Sequence, residues 1–214
     1  EADRFERELL AGFLDLESAA PGVALFHIAE VVRGDPPARA AIMDADASSL
    51  ALDGLPAGPT RRAFASFLKA YGYRCPREAE LSTPRWRESP GTLFAALRAF
   101  LVRGDASPIT RFERQHVIRA GAEEALTRRL PPFARAVARH LLARTQRFAR
   151  LRERMRARVT EVLGFFRTVA LDVSARMESR SPGVGRDAAF YLAIDEVRAW
   201  LGGELGDPSA LVHV

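Results

Sequence analysis

A long apolar repeat in the second half of the chain sets the strongest limit on its fold. Between residues 137 and 177 an apolar side chain recurs every three or four positions, with one skipped turn at Arg144-Thr145. This spacing puts one apolar residue per turn on the same face of an α-helix. It predicts a single helix of about 60 Å, or two helices joined at a kink. The repeat consists of Val137, Leu141, Phe148, Leu151, Met155, Val159, Val162, Phe166, Val169, Val173 and Met177.

We expect the apolar face of this helix to be buried. A helix of a soluble protein usually turns its apolar stripe towards the core. The helices that precede the repeat are its natural partners. Phe148, Met155, Val162 and Phe166 are therefore predicted to share one core with them.

The rest of the chain also predicts helices. Alternation with a period of two, which is typical of strands, is not found. We therefore predict an all-α fold, a multi-helix bundle with one very long or kinked helix pair. The turn-forming residues 104–108 favour a boundary between an N-terminal lobe, 1–104, and a C-terminal long-helix lobe, 105–214, although one continuous domain is the alternative. Helical spacing of apolar residues occurs over 2–18, 23–32, 60–71, 93–102 and 110–126.

Composition and charge point to a soluble protein of the cytoplasm. Apolar residues make up 48% of the chain and the net charge is +5. No run approaches the ~18 apolar residues of a membrane span, so we expect no membrane partner. No signal sequence opens the chain, and the single cysteine, Cys75, fits a reducing compartment. The first residue is Glu1, which favours an excised part of a longer protein.

Arginines are concentrated at the start of the long repeat. Between Arg128 and Arg158 the chain has eleven arginines and one acid, Glu153. They are either the solvated flanks of the helix or the complement of an anion, such as a phosphate, a carboxylate or an acidic neighbouring domain. Aromatic side chains do not alternate with them on one face, which argues against a nucleic-acid partner.

A polar segment, residues 71–88, interrupts the helical pattern with a glycine and two prolines. Its eighteen residues contain four arginines, three glutamates, two tyrosines and one tryptophan. Loops this rich in planar cations and carboxylates are usually held by the fold for a purpose. We predict an ordered loop with Trp86 largely buried. Arg74 and Arg85 are each expected to pair with a carboxylate among Glu78, Glu80 and Glu88.

This segment resembles a stretch of the phosphoenolpyruvate-utilising enzymes, the group of phosphoenolpyruvate synthase and rifampicin phosphotransferase, with the pattern G-H-R-G-P-x-E-x-[DE]-L-x-x-P-R-W-x-E. Tyr73 stands where the family has His, and Cys75 where it has Gly. The matching positions are Gly72, Arg74, Pro76, Glu78, Glu80, Leu81, Pro84, Arg85, Trp86 and Glu88.

A second stretch, residues 187–197, is similar to the family segment D-D-V-F-[FY]-L-T-x-[DE]-E-[LV]. In the family the Thr caps a short helix. Here Ala193 replaces the Thr, so we expect the loss of a side-chain cap worth about 1 kcal/mol. Ala188 replaces the second Asp. The matching positions are Asp187, Phe190, Tyr191, Leu192, Asp195 and Glu196.

The resemblance implies the helical, acceptor-binding domain of an ATP-dependent phosphotransferase. It implies an apolar pocket beside the loop for a small-molecule acceptor. It also implies two partners in the same enzyme, an ATP-binding domain and a phospho-histidine domain. ATP and Mg are then cofactors of the full-length enzyme, and this chain binds neither. The candidate substrate-binding residues are Arg74, Glu78, Glu80, Arg85 and Trp86.

Alternatives remain open for the residues and for the chain. The arginines of the loop could serve only as ion pairs that pin it. The chain could also be a stand-alone, non-catalytic binding module for an apolar small molecule or a partner protein. No catalytic or metal-binding residue is predicted, because the sequence has no glycine-rich phosphate loop and no flanked catalytic His. His27, amid apolar residues, is interpreted as a packed core residue.

Overall fold

The computed structural model describes residues 7–9, 17–44, 50–103, 107–128 and 130–204. Within these ranges the chain forms helices and no strand, which confirms the all-α prediction. The α-helices are α1 (Ala20–Arg33), α2 (Pro36–Asp44), α3 (Pro59–Tyr71), α4 (Gly91–Arg103), α5 (Pro108–Arg128), α6 (Pro132–Arg180) and α7 (Ile194–Gly202), with 3-10 turns at Leu52–Gly54 and Ala188–Tyr191.

Prolines mark where several helices begin. The first residues of α2, α3, α5 and α6 are all prolines. Proline suits this position because its fixed φ is already helical and the first turn has no partner for the missing N–H. At the other end of α7, Gly203 adopts a φ of 79°, the left-handed conformation that often closes a helix.

The long helix exists as predicted, and it is continuous. Helix α6 has 49 residues, or about 74 Å at the usual rise per residue. Its residues as far as Arg158 belong to one compact unit of the chain, and those from Val159 onward belong to another. The first unit comprises Glu1–Gly72 and Trp86–Arg158, and the second comprises Tyr73–Arg85 and Val159–Val214.

Two predictions concern residues that the structure does not describe. The lobe boundary predicted between residues 104 and 105 falls in 104–106, which lie outside the described residues. Most of the N-terminal helix predicted over 2–18 also lies outside them, although residues 7–9 are helical. Both stay predictions.

Helices α1, α3 and α4 form the core of the first unit. Phe64 on α3 and Phe94 on α4 are fully buried, and their rings stack with centroids 4.6 Å apart. Asp35, between α1 and α2, accepts hydrogen bonds from the backbone N–H groups of Ala38 and Thr60. One carboxylate thus satisfies the first turns of both α2 and α3.

Polar contacts join α5 to α6 within the first unit. Arg135 Nε donates to the carbonyl of Thr127 at 3.0 Å, near the end of α5. Further along α6, Gln146 Nε2 donates to Glu123 Oε1 at 2.7 Å. These contacts identify the side of α6 that lies against α5.

The predicted burial of the apolar face of α6 is wrong for the four residues expected to share one core, although Val173 and Met177 at the end of the repeat are buried. Phe148, Met155, Val162 and Phe166 are 57%, 56%, 52% and 53% exposed. The buried positions of α6 lie mostly on a different seam of small and polar residues. Ala157, for example, is buried and lies two positions from Met155, nearly opposite it on the helix. Small side chains let neighbouring backbones approach closely, so the helix packs through the face that contains them. The buried residues of this seam are Ala157, Thr160, Arg167 and Ser174.

His27 is exposed on α1, so its interpretation as a packed core residue is wrong. None of the helices in the described residues combines the length and apolar character needed to span a bilayer.

The contrast between core and exposed phenylalanines can be measured. Phe94→Ala should lower the free energy of unfolding by about 3–5 kcal/mol, because it leaves a cavity in the core of the first unit. Phe148→Ala, in the same unit, should change it by about 0.5 kcal/mol or less. Chemical denaturation of the two variants checks this. Equal losses would contradict the burial described here.

Candidate functional site

The loop Tyr73–Arg85 of the second unit is built around buried polar contacts. Arg85 is 1% exposed, and its Nη1 donates to Cys75 Sγ at 2.6 Å and to the carbonyl of Glu78 at 3.2 Å. Arg74 is 7% exposed, and its Nη1 lies 3.4 Å from Glu78 Oε1. This ion pair is one that the sequence predicts. Glu78 therefore contacts both arginines: its carboxylate pairs with Arg74, and its backbone carbonyl accepts a hydrogen bond from Arg85.

Helix α6 fastens this loop from one side. Thr160 Oγ1 donates to Glu78 Oε2 at 3.2 Å. Two turns later, Arg167 Nη1 donates to the carbonyl of Leu81 at 2.6 Å. Arg167 is itself buried, so this charged hydrogen bond is shielded from water.

The same helix also fastens the second stretch that resembles the family, residues 187–197, which we call the second motif. Ser174 Oγ accepts a hydrogen bond from the N–H of Ala189 at 3.0 Å. The guanidinium of Arg167 lies over the ring of Phe190, 5.1 Å from its centroid, a cation–π geometry. Arg167 thus contacts the loop through a hydrogen bond and the second motif through an aromatic ring.

A glycine turn leads into the second motif. Glu178 accepts hydrogen bonds from the N–H groups of Gly183 and Gly185, at 3.0 and 2.8 Å. Both glycines have a φ of 99°, which an L-residue adopts only with strain. These two N–H groups lower the pKa of Glu178 below its usual value of 4.5.

The start of α7 keeps part of its cap. Ala193 has no side-chain acceptor, as the sequence predicts. Glu196 Oε2 nevertheless accepts from the N–H of Ala193 at 2.7 Å. Half of the reciprocal capping arrangement therefore survives the replacement of Thr by Ala.

An apolar groove of about 610 Å³ lies within the second unit, between the loop, α6 and the stretch formed by the second motif and the start of α7. Its volume is in the usual range for a small-molecule site, and its lining is mostly apolar, as such sites are. It adjoins the loop, where the resemblance implies an acceptor pocket. The lining residues are Ala79, Glu80, Leu81, Phe166, Val169, Ala170, Val173, Ala189, Phe190, Leu192, Ile194 and Val197.

Glu80 is the one charged residue among the described residues that line the groove. Its Oε1 accepts hydrogen bonds from the N–H and the hydroxyl of Ser82, at 3.1 and 2.9 Å. These two bonds, aided by the charges of Arg77 and Arg85, lower the pKa of Glu80. At neutral pH the groove therefore presents a fixed anionic carboxylate beside an apolar wall.

The candidate site residues from the sequence have different places in the structure. Glu80 lines the groove, whereas Arg74, Glu78 and Arg85 lie inside the loop and make the contacts described above. Trp86 belongs to the first unit, where it is partly buried with its ring centroid 6.1 Å from that of Phe67. Their roles in substrate binding stay predictions.

Sequence reasoning missed the other half of the groove. Phe166 was expected in a core, and it lines the groove instead. Arg167 was not singled out at all. Its spacing in the sequence could have revealed it. Arg167 lies one turn from Gly164 and two turns from Thr160 and Ser174, so it shares a helix face with small residues. Such a face packs closely against its neighbours, and an arginine on it is therefore buried.

Among the described residues, no group of three or more His, Cys, Asp or Glu is placed to hold a metal.

Loss of Arg167 should destabilise the second unit. Arg167→Met removes a buried charged hydrogen bond and leaves the Leu81 carbonyl without it, at a cost of about 2–3 kcal/mol. The matched control is Arg176→Met, because Arg176 is 64% exposed in a surface pair with Asp172 worth at most about 1 kcal/mol. Trp200, buried in the second unit, reports unfolding in a Trp86→Phe background. Equal losses in the two variants would contradict this role for Arg167.

The turn held by Glu178 should make stability depend on pH. The pKa of Glu178 is lower in the folded state, so its carboxylate stabilises the fold at pH values above the unfolded pKa, near 4.5. That contribution is lost as the pH falls through the folded pKa. In urea denaturation over a pH series, Glu178→Gln should reduce the loss of stability below about pH 4.5. Parallel curves for the two proteins would contradict the assignment.

The chain is similar to known proteins over most of its length. A family model described as the rifampicin phosphotransferase fourth domain matches residues 2–153. The prodigiosin synthesizing transferase PigC of Serratia marcescens is 25% identical to this chain over 205 residues, which cover 93% of this chain and 23% of that protein. The chain therefore spans about a quarter of the length of this curated relative. Since the family match covers well over half of the chain, the chain belongs to the rifampicin phosphotransferase fourth-domain family.

Proposed function

We propose that this chain is the acceptor-binding domain of a phosphotransferase and that the groove of the second unit holds the acceptor. The observation that carries the proposal is the open apolar groove of about 610 Å³ beside the loop. Membership of the fourth-domain family supports it, because that family is named after a phosphotransferase.

The groove favours an apolar acceptor with one hydrogen-bond donor. Aliphatic side chains and the rings of Phe166 and Phe190 offer contact to a flat or branched apolar body. Glu80 offers a carboxylate that is already ionised and oriented by Ser82. A hydroxyl or amine on the ligand would donate to it, which fixes the orientation of the ligand in an otherwise non-directional site.

The groove does not suit ATP. Its one charged lining residue among those described is an anion, which repels phosphates. No described group of carboxylates, histidines or cysteines is placed to hold Mg²⁺. We therefore assign ATP and Mg²⁺ to other domains of the full-length enzyme, namely the ATP-binding and phospho-histidine domains that the resemblance implies. This chain contributes binding and orientation of the acceptor.

A large side chain placed in the groove should weaken ligand binding. Ala170 lines the groove, so Ala170→Trp should occupy part of its volume and weaken binding of 2-naphthol, an apolar aromatic alcohol, by about tenfold or more. The matched control is Ala175→Trp, five residues further along α6 at an exposed position outside the groove lining. Fluorescence titration measures both affinities. Equal affinity in the two variants, or no binding to the wild-type chain, would contradict the proposal.

The division of labour has its own test. With labelled ATP, Mg²⁺ and 2-naphthol, the chain alone should transfer no phosphate to itself or to the alcohol, because phosphoryl transfer needs groups that neutralise the charge on ATP. Labelled phosphate on the chain or on the alcohol, if it is lost when a single His is replaced, would show that the chain is catalytic.

A further inference from the structure

The first half of α6 carries an exposed apolar stripe that the proposed function does not use. We define the stripe as Val137, Leu141, Phe148, Leu151 and Met155, all in the first unit. These side chains are 44%, 58%, 57%, 45% and 56% exposed. Contiguous apolar surface of this kind on a protein commonly marks an interaction site.

The spacing of the stripe fits a partner helix. Leu141, Phe148 and Met155 follow each other at intervals of seven residues, while Val137 and Leu151 occupy the intermediate seam position. A strict seven-residue repeat keeps a narrow seam on one face, and it is the pattern by which two helices pack knobs into holes. Gln146, which bonds Glu123 of α5, lies two positions from Phe148 and so on nearly the opposite side of α6. The stripe therefore faces away from α5.

Arginines flank the stripe on both sides. Arg147 and Arg154 lie along one edge and Arg152 along the other, and Arg144 interrupts the seam itself with its guanidinium 5.9 Å from the ring centroid of Phe148. All four are exposed. Between residues 132 and 158 the one carboxylate is Glu153, whose side chain is 13% exposed and lies 3.0 Å from Arg152. The face around the stripe is thus strongly basic.

We propose that the stripe docks an acidic amphipathic α-helix of another protein segment, with apolar residues at seven-residue spacing and carboxylates at the flanking positions. Charge complementarity selects this occupant, since flanking charges set partner choice in helix pairs. A second copy of the chain would bring rows of arginine together. A bilayer favours a broad, uninterrupted apolar face, which Arg144 breaks.

Two labelled peptides test the proposal with the full 214-residue chain. Each has about four heptads with Leu at the seam positions, and the flanking positions are all Glu in one peptide and all Lys in the other. In fluorescence anisotropy, the Glu peptide should bind about tenfold or more tightly than the Lys peptide. About 0.5 M salt should weaken its binding, because the flanking charges are exposed.

Variants locate the binding. Phe148→Glu should abolish binding of the Glu peptide, whereas Val117→Glu, at a 70% exposed position on α5, should leave it unchanged. Both sites are exposed, so thermal unfolding should stay close to that of the wild type. The double change Arg147→Glu with Arg154→Glu should reverse the preference towards the Lys peptide, which a merely hydrophobic contact does not predict.

Three results would overturn the proposal. One is equal binding of the two peptides, or binding of neither. Another is a dimer of the chain in sedimentation that Phe148→Glu dissolves, which would make a second copy the occupant. The third is co-sedimentation with anionic phosphatidylglycerol vesicles that Phe148→Glu removes, which would make the face a membrane-surface site.

Discussion

The hydrogen bond from Arg167 to the carbonyl of Leu81 is the contact on which the candidate site depends. The guanidinium is buried, lies 2.6 Å from that carbonyl and stacks on Phe190, so one side chain of α6 holds the other two walls of the groove, the loop and the second motif. Thr160 and Ser174, each two turns from Arg167 on α6, act in the same way through Glu78 and Ala189. Polar contacts from one face of α6 therefore position the loop and the second motif, beside an apolar core in which Val173 and Met177 of α6 pack with Trp200.

This arrangement explains why the groove is apolar. Because the small and polar face of α6 is taken up by the loop and the second motif, the bulky residues of the helix lie beside these contacts, where Phe166 and Val169 form a groove wall. Buried polar contacts specify geometry, and the apolar surface next to them provides binding energy. In the first unit α6 likewise packs against α5 through the face that contains Gln146, so the stripe on the opposite face stays exposed.

The sequence predicts the elements better than their packing. Apolar spacing is sufficient to place α6, because periodicity is a local property. The face that α6 buries depends on which elements approach it, and spacing alone predicted the wrong one for Phe148 and Phe166. The pairing of Arg74 with Glu78 was predictable from their four-residue separation. The groove was not, because its walls come from three stretches, 79–81, 166–173 and 189–197, that only the tertiary fold brings together.

Methyl NMR of the chain during titration with 2-naphthol would show directly whether the groove binds an apolar alcohol. The largest shift changes should fall on the groove methyls, those of Leu81, Val169, Val173, Leu192, Ile194 and Val197. These shift changes should not occur in the Ala170→Trp variant, because the Trp side chain fills the groove. Changes concentrated instead on the stripe methyls of Val137, Leu141, Leu151 and Met155, or spread evenly over both sets, would contradict a built acceptor site in the groove.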